Sequence, residues 1–366
     1  MSRRPETGII EGYYGRPWSW AERSDTALFL GRHGFGFYIY APKADPYLRK
    51  RWQEDHPPEA AAALAGLARS CRDAGIRFGV GLSPYEIFRA FDAAARAALE
   101  RKLRFLDSLG IDDLALLFDD MRGDLPELAA RQLEVAGWVG DRTGADRLNV
   151  CPTYYTDDPV LDRVFGRRPD GYLEELGAGL DPAVEVFWTG PEVVARELSP
   201  GHLHRVAERL GRAPFLWDNY PVNDGQRMSQ YLHVRGFTGR PAALAAGVAG
   251  HAVNPALQPT LTRIPLLTLL ESYDRGDDYD YGRATRRAAR QVLGDALGQR
   301  VYEDVLTLQE VGLDRIVGAG EEAEAPSRER EDHLRERYAG DHPGAREIIA
   351  WLDGAYRITD EIVETQ

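Results

Sequence analysis

The sequence predicts an α/β fold, a (β/α)8 barrel (TIM barrel) followed by a smaller C-terminal helical region, on three observations. Short runs rich in β-branched and aromatic residues alternate with longer helical patterns, about eight such runs fall before residue 260, and polar or aromatic clusters follow the runs directly. The strands are expected at 8–14, 35–41, 77–82, 114–118, 148–153, 184–188, 214–217 and 247–253. Between them, 21–32, 59–74, 90–109 and 127–143 repeat apolar residues at three and four positions, the spacing of helices that cover a barrel from outside. After about residue 260 the strand rhythm stops, and helices are expected around 283–297, 299–317 and 345–363. The chain therefore divides into a barrel, 1–260, and a helical region, 261–366. The acidic stretch from Glu321 to Asp332 reads as a solvated linker or loop.

Composition narrows the function classes. A total of 366 residues accommodates a barrel of roughly 250 residues with an appendage. With 45 Lys and Arg against 58 Asp and Glu, the net charge of −13 disfavours nucleic acid and anionic membrane partners. Two cysteines, Cys71 and Cys151, on separate core elements, read as buried thiols. Met1 to Thr7 is polar, and Glu11 and Gly12 interrupt the apolar stretch behind it, so no signal-peptide core is seen and a cytoplasmic protein is expected. No run approaches the ~20 apolar residues of a membrane span. The eight histidines are scattered, His202 and His204 lack a third ligand, and no glycine-rich phosphate loop stands out, so no metal and no cofactor are implied.

Active sites of barrels of this kind gather where strands end. The sequence places Glu-Gly-Tyr-Tyr-Gly-Arg-Pro-Trp (11–18), Ala-Pro-Lys (41–43), Phe-Asp-Asp (118–120), Cys-Pro-Thr-Tyr-Tyr (151–155), Trp-Thr-Gly (188–190), Trp-Asp-Asn (217–219), Asn223-Asp224 and Asn254-Pro255 at those ends. Asp119 and Asp120 follow an apolar run, where a buried strand should finish. Paired carboxylates suit glycoside hydrolysis, in which one acid protonates the leaving oxygen while another group stabilises the anomeric centre. Side chains at i and i+1 of a strand point oppositely, so adjacent acids are ill placed to flank one bond. Attack by the sugar's own 2-acetamido oxygen, through an oxazoline, then fits better than a carboxylate nucleophile. One Asp would orient the amide, and its neighbour would act as acid and then base, with a pKa raised by the adjacent charge.

These motifs, in order from about Gly8 to Asn254, resemble glycoside hydrolase family 84, which contains the protein O-GlcNAcases and related bacterial β-N-acetylglucosaminidases. The resemblance implies a retaining exo-β-N-acetylglucosaminidase acting on terminal β-linked GlcNAc of a glycoside or glycoprotein. It implies that Asp119 polarises the acetamido group and that Asp120 is the general acid and base. Tyr155 would meet the acetamido group or the oxazoline, with Tyr154 as the alternative if the strand registers one residue away. Asn219 would hold the acetamido side. Asp224, Asn254, Lys43 and the backbone of Gly12 would bind hydroxyls, Trp217 would wall the pocket, and Tyr14 and Trp188 complete the substrate-binding set. Met121-Arg122-Gly123-Asp124 departs from the family pattern on the leaving-group side. A catalytically silent sugar-binding barrel, or the same chemistry on a small-molecule or cell-wall aminosugar, stays open at this point. So does a homodimer through the helical region.

Overall fold

The computed structural model describes residues 4–318 and 325–366. Strands buried on both faces have no solvent side to offer, and parallel strands satisfy that only when covered all round or closed on themselves. Here β1 (Thr7–Glu11), β2 (Phe37–Tyr40), β3 (Arg77–Leu82), β4 (Asp113–Leu117), β5 (Arg147–Cys151), β6 (Glu185–Trp188), β7 (Phe215–Asp218) and β8 (Gly250–Val253) are almost entirely buried. They close into a barrel in sequence order, each parallel to its neighbours, with β1 pairing back to β8. The expected (β/α)8 barrel with C-terminal helices is the observed architecture.

Contacts divide the chain into two compact units. The first holds residues 1–12, 19–219 and 243–253. It contains all eight strands and the helices α1 (Trp20–Arg32), α2 (Pro58–Asp73), α3 (Ala93–Ser108), α4 (Leu128–Gly140), α5 (Val160–Phe165), α6 (Tyr172–Gly179) and α7 (Pro200–Leu210). Local chemistry sets several helix starts. Ser19 and Glu22 form a reciprocal capping box on α1, Asp92 caps α3, and Ser199 caps α7 ahead of Pro200. Inside the barrel, Phe37, Phe215, Phe187 and Trp217 meet edge to face at 5.3–5.7 Å.

Charge in this unit is paired where it is buried. Glu11 takes both donors of the Arg23 guanidinium at 2.7–3.1 Å and also the Tyr38 hydroxyl at 2.6 Å, so a charge at the end of β1 is fully bonded. At the N-terminal strand ends, Arg77 joins Glu6 and Asp113 while Arg147 joins Glu6, a network on the face of such barrels associated with stability. Lys102 of α3 is an exception: its ammonium is buried, donating to the Glu54 carbonyl at 2.7 Å, and burial pushes its pKa down to about 8. Unfolded, it titrates near ~10.4, so the unfolded chain holds more protons between those values and the burial cost disappears as pH rises through that window. Lys102→Met is expected to remove this rise. The difference between parent and variant stability from pH 8 to pH 10 should change by on the order of 1 kcal/mol once solvent screening is allowed for, read by chemical denaturation at each pH.

The second unit holds residues 13–18, 220–242 and 254–366. Its helices are α8 (Arg263–Arg275), α9 (Tyr281–Leu293), α10 (Asp295–Glu303), α11 (Leu313–Val317), α12 (Ala325–Arg337), α13 (Pro343–Leu352) and α14 (Asp360–Thr365). Buried Glu347 accepts from the Thr260 and Leu261 backbone N–H groups at 2.8 and 2.9 Å, fixing α13 to the start of this region. Each long helix expected here is broken at a glycine in the left-handed region: Gly294, Gly312 and Gly354. The acidic stretch also differs from expectation, because from Ala325 onward it is helix α12; residues 321–324 lie outside the described residues. Among the described residues, no helix is long and apolar enough to cross a membrane.

Candidate active site

The end of β4 is tied down before the acids begin. The Phe118 N–H donates to the Cys151 carbonyl at 2.9 Å, and the Phe118 carbonyl accepts from the Thr153 hydroxyl at 2.8 Å. The Thr153 hydroxyl accepts from the Gln132 amide and its backbone N–H donates to the Tyr172 hydroxyl, which in turn donates to Gln132 Oε1, all three side chains being buried. This network, which sequence reasoning missed, locks the exits of β4 and β5 to α4 and α6 and so sets where the next residues project.

Asp119 and Asp120 both lie beyond the last residue of β4. The expectation that they point oppositely, as on a strand, is therefore corrected. Asp120 has φ 56°, in the left-handed region, and Lys43 from the loop after β2 reaches both carboxylates. Its ammonium bonds Asp119 Oδ2 and stands 3.7 Å from Asp120 Oδ2. One cation between two anions explains how the acids coexist, since each carboxylate alone would carry a large burial penalty. Asp119 Oδ1, by contrast, is buried and has no hydrogen-bond partner among the described residues. An unanswered acceptor in a buried site calls for a donor from elsewhere.

Tyr155 donates its hydroxyl to Asp120 Oδ1 at 3.1 Å. Burial and the two neighbouring acids hold its pKa well above the ordinary value, so it stays a neutral donor at any working pH. Tyr154 turns away, donating to the Gly166 carbonyl at 2.5 Å and packing edge-on against Tyr172. The tyrosine beside the acids is thus Tyr155.

A family model described as beta-N-acetylglucosaminidase matches residues 7–310. The chain belongs to that family. It is 30% identical over 281 residues to the Protein O-GlcNAcase of Mus musculus and to that of Rattus norvegicus, in each case covering 74% of this chain and 30% of the relative. The chain thus spans less than a third of the length of those curated relatives. Among solved structures, a mutant of the Thermobaculum terrenum O-GlcNAc hydrolase superposes with a TM-score of 0.75 at 27% identity, covering 95% of this chain and 80% of that one.

The other members of the set expected for this member of the β-N-acetylglucosaminidase family fall as follows. Trp217 shares the inward face of β7 with Phe215, and its indole N–H donates to Asn219 Oδ1 at 3.0 Å; the Asn219 amide donates to the Val193 carbonyl at 2.9 Å. Gly12 lies under that indole: a Cβ there would stand 2.3 Å from Trp217 Cζ2. Gly12→Ala is accordingly expected to push the ring aside, costing about 1–3 kcal/mol of stability and raising KM, measured by denaturation and steady-state kinetics. Trp188 is a correction. It registers with Leu216 rather than with Trp217, its ring is fully buried, and its indole N–H donates to His202 of α7 at 3.0 Å. It belongs to the packing between β6 and α7, not to a pocket wall. In the second unit, Tyr14 donates its backbone N–H to Asp224 Oδ2 at 3.0 Å, and the Asn254 carbonyl accepts from Val222 at 3.1 Å. Cys71 and Cys151 are free and buried.

Proposed function

We propose that this chain is a retaining exo-β-N-acetylglucosaminidase that releases terminal β-linked GlcNAc from glycoconjugates by substrate-assisted catalysis. The observation that carries the reading is the buried, unanswered Asp119 Oδ1 next to an acid held at 3.1 Å by Tyr155. An acetamido N–H supplies the donor that Asp119 lacks. Both acids converge on one ammonium, Lys43, instead of bracketing a space from opposite sides, which favours the amide over a carboxylate as nucleophile.

In the first step the acetamido oxygen attacks the anomeric carbon, the glycosidic bond breaks, and Asp120 gives its proton to the departing oxygen. Asp119 accepts from the amide N–H, and Tyr155, a neutral donor, holds Asp120 in place. In the second step Asp120, now a carboxylate, takes a proton from the water that opens the oxazoline, and two inversions give net retention. Asn219 holds the acetamido side. Trp217 covers the apolar face of the sugar, while Gly12 and Lys43 take further contacts. The finer parts of the proposal are a GlcNAc-bearing protein as natural substrate, action in the cytoplasm, and a homodimer through the region 261–366.

An aryl β-N-acetylglucosaminide releases phenol if the proposal holds, with a β-configured first product by NMR. Sugar binding without release would instead leave a silent binding barrel. A panel of GlcNAc-modified peptide, chitobiose and muropeptide then separates the candidate substrates, and sedimentation tests the dimer.

A further inference from the structure

We propose that Arg49 is a positioning residue for the general acid, holding the strained backbone of Asp120 so that its carboxyl meets the leaving oxygen; the proposal rests on the reading of Asp120 given above. A non-glycine residue in the left-handed region is disfavoured and persists only where surrounding contacts over-determine it. Past the last strand residue the Asp120 carbonyl is outside the barrel ladder, and a guanidinium hydrogen of Arg49 reaches it with Nη2 at 3.4 Å, a long but charge-assisted contact. Arg49 is only 4% exposed, so the contact is made away from competing water.

Arg49 is itself fixed by two further contacts. Its Nη1 donates to the Ser83 hydroxyl at 3.0 Å, and its guanidinium lies 5.4 Å from the centroid of the Tyr85 ring. The Ser83 backbone N–H donates to the Leu48 carbonyl at 2.8 Å, joining the loop that carries Lys43 and Arg49 to the end of β3. On the far side of the turn, Met121 is buried and its sulfur accepts the Glu86 N–H at 3.2 Å, where Glu86 is the other non-glycine residue with positive φ among the described residues. Two strained turns, after β3 and after β4, thus brace one another, with Arg49 bridging them at the residue that must deliver a proton.

The test compares the full chain with Arg49→Met and Arg49→Lys on aryl β-N-acetylglucosaminides running from dinitrophenyl to unsubstituted phenyl. Arg49→Met should keep kcat/KM for the dinitrophenyl substrate within about threefold and lower it for phenyl by roughly 30-fold, a part of the range general acid catalysis spans, with Arg49→Lys restoring some of the loss. General loosening of the fold would slow every substrate alike. Equal slowing across the series, or an unchanged series, overturns the proposal. If Arg49→Met does not fold, Ser83→Ala removes only the hydroxyl that orients Nη1 and should tilt the series the same way by a smaller factor; no tilt there overturns it as well. A parent that cleaves no aryl glycoside sinks the hydrolase reading and this proposal together, whereas an active parent with an untilted Arg49→Met series sinks this one alone.

Discussion

Asp120→Asn is expected to lower kcat/KM for phenyl β-N-acetylglucosaminide by about 10³-fold while leaving the dinitrophenyl substrate within about tenfold. Asparagine keeps the size of the side chain and still offers an oxygen to the Tyr155 hydroxyl, so the 3.1 Å contact and the left-handed backbone have no reason to change. What is lost is a transferable proton. A phenolate is basic and leaves poorly unless protonated, whereas a dinitrophenolate departs without help, so the deficit follows the leaving group's basicity. In the proposed mechanism the same residue is the base of the second step, and there the aglycone has already gone. For the dinitrophenyl substrate, kcat should therefore fall although kcat/KM does not, with a burst of phenol before the slow phase. A uniform loss of kcat/KM across the series would remove Asp120 from the acid role.

Much of this was legible in the sequence because the barrel imposes burial on every strand. Runs such as Leu114 to Phe118 are apolar at every position, a pattern a parallel strand covered on both faces requires; the first strand differed most, its ladder ending at Glu11 where 8–14 was expected, and the eighth began at Gly250 instead of Gly247. The acids stood out for a related reason, since they follow an apolar run directly, where a charge has no structural excuse, whereas Lys43 and Tyr155 were implied by the family resemblance. What the sequence hides is parity and dihedral angle. Trp188 and Trp217 both close aromatic strands, but the register Trp188 with Leu216 sends one indole to α7 and the other into the barrel. Nothing in Phe-Asp-Asp announces that Asp120 takes φ 56°, or that Arg49, 71 residues earlier, meets its carbonyl. The helical region misled in the opposite sense, since apolar periodicity continues across Gly294 and Gly312 while the backbone does not.

Asp119→Asn should behave differently from Asp120→Asn, depressing the phenyl and dinitrophenyl substrates together by about 10²–10³-fold with the slope of the leaving-group series unchanged. The argument starts from the two oxygens of Asp119, which have different duties: Oδ2 is bonded by Lys43, and Oδ1 is buried with no partner among the described residues. An acetamido N–H donated to Oδ1 places the amide with its oxygen toward the anomeric carbon, and the attraction to the carboxylate strengthens as that nitrogen becomes positive in the oxazoline. Asparagine offers a neutral oxygen at best and an opposing N–H at worst, and it weakens the hold on Lys43, so the nucleophile is misaimed whatever group departs. Fluorination of the N-acetyl group supplies the decisive comparison. In the parent each fluorine should slow the reaction, because the amide oxygen that attacks becomes less nucleophilic; in Asp119→Asn that sensitivity should change as the polarising partner is lost. If instead the variant shows the parent's sensitivity to fluorine at nearly parental rates, Asp119 is serving Lys43 and the fold, and the group that polarises the amide must be sought elsewhere.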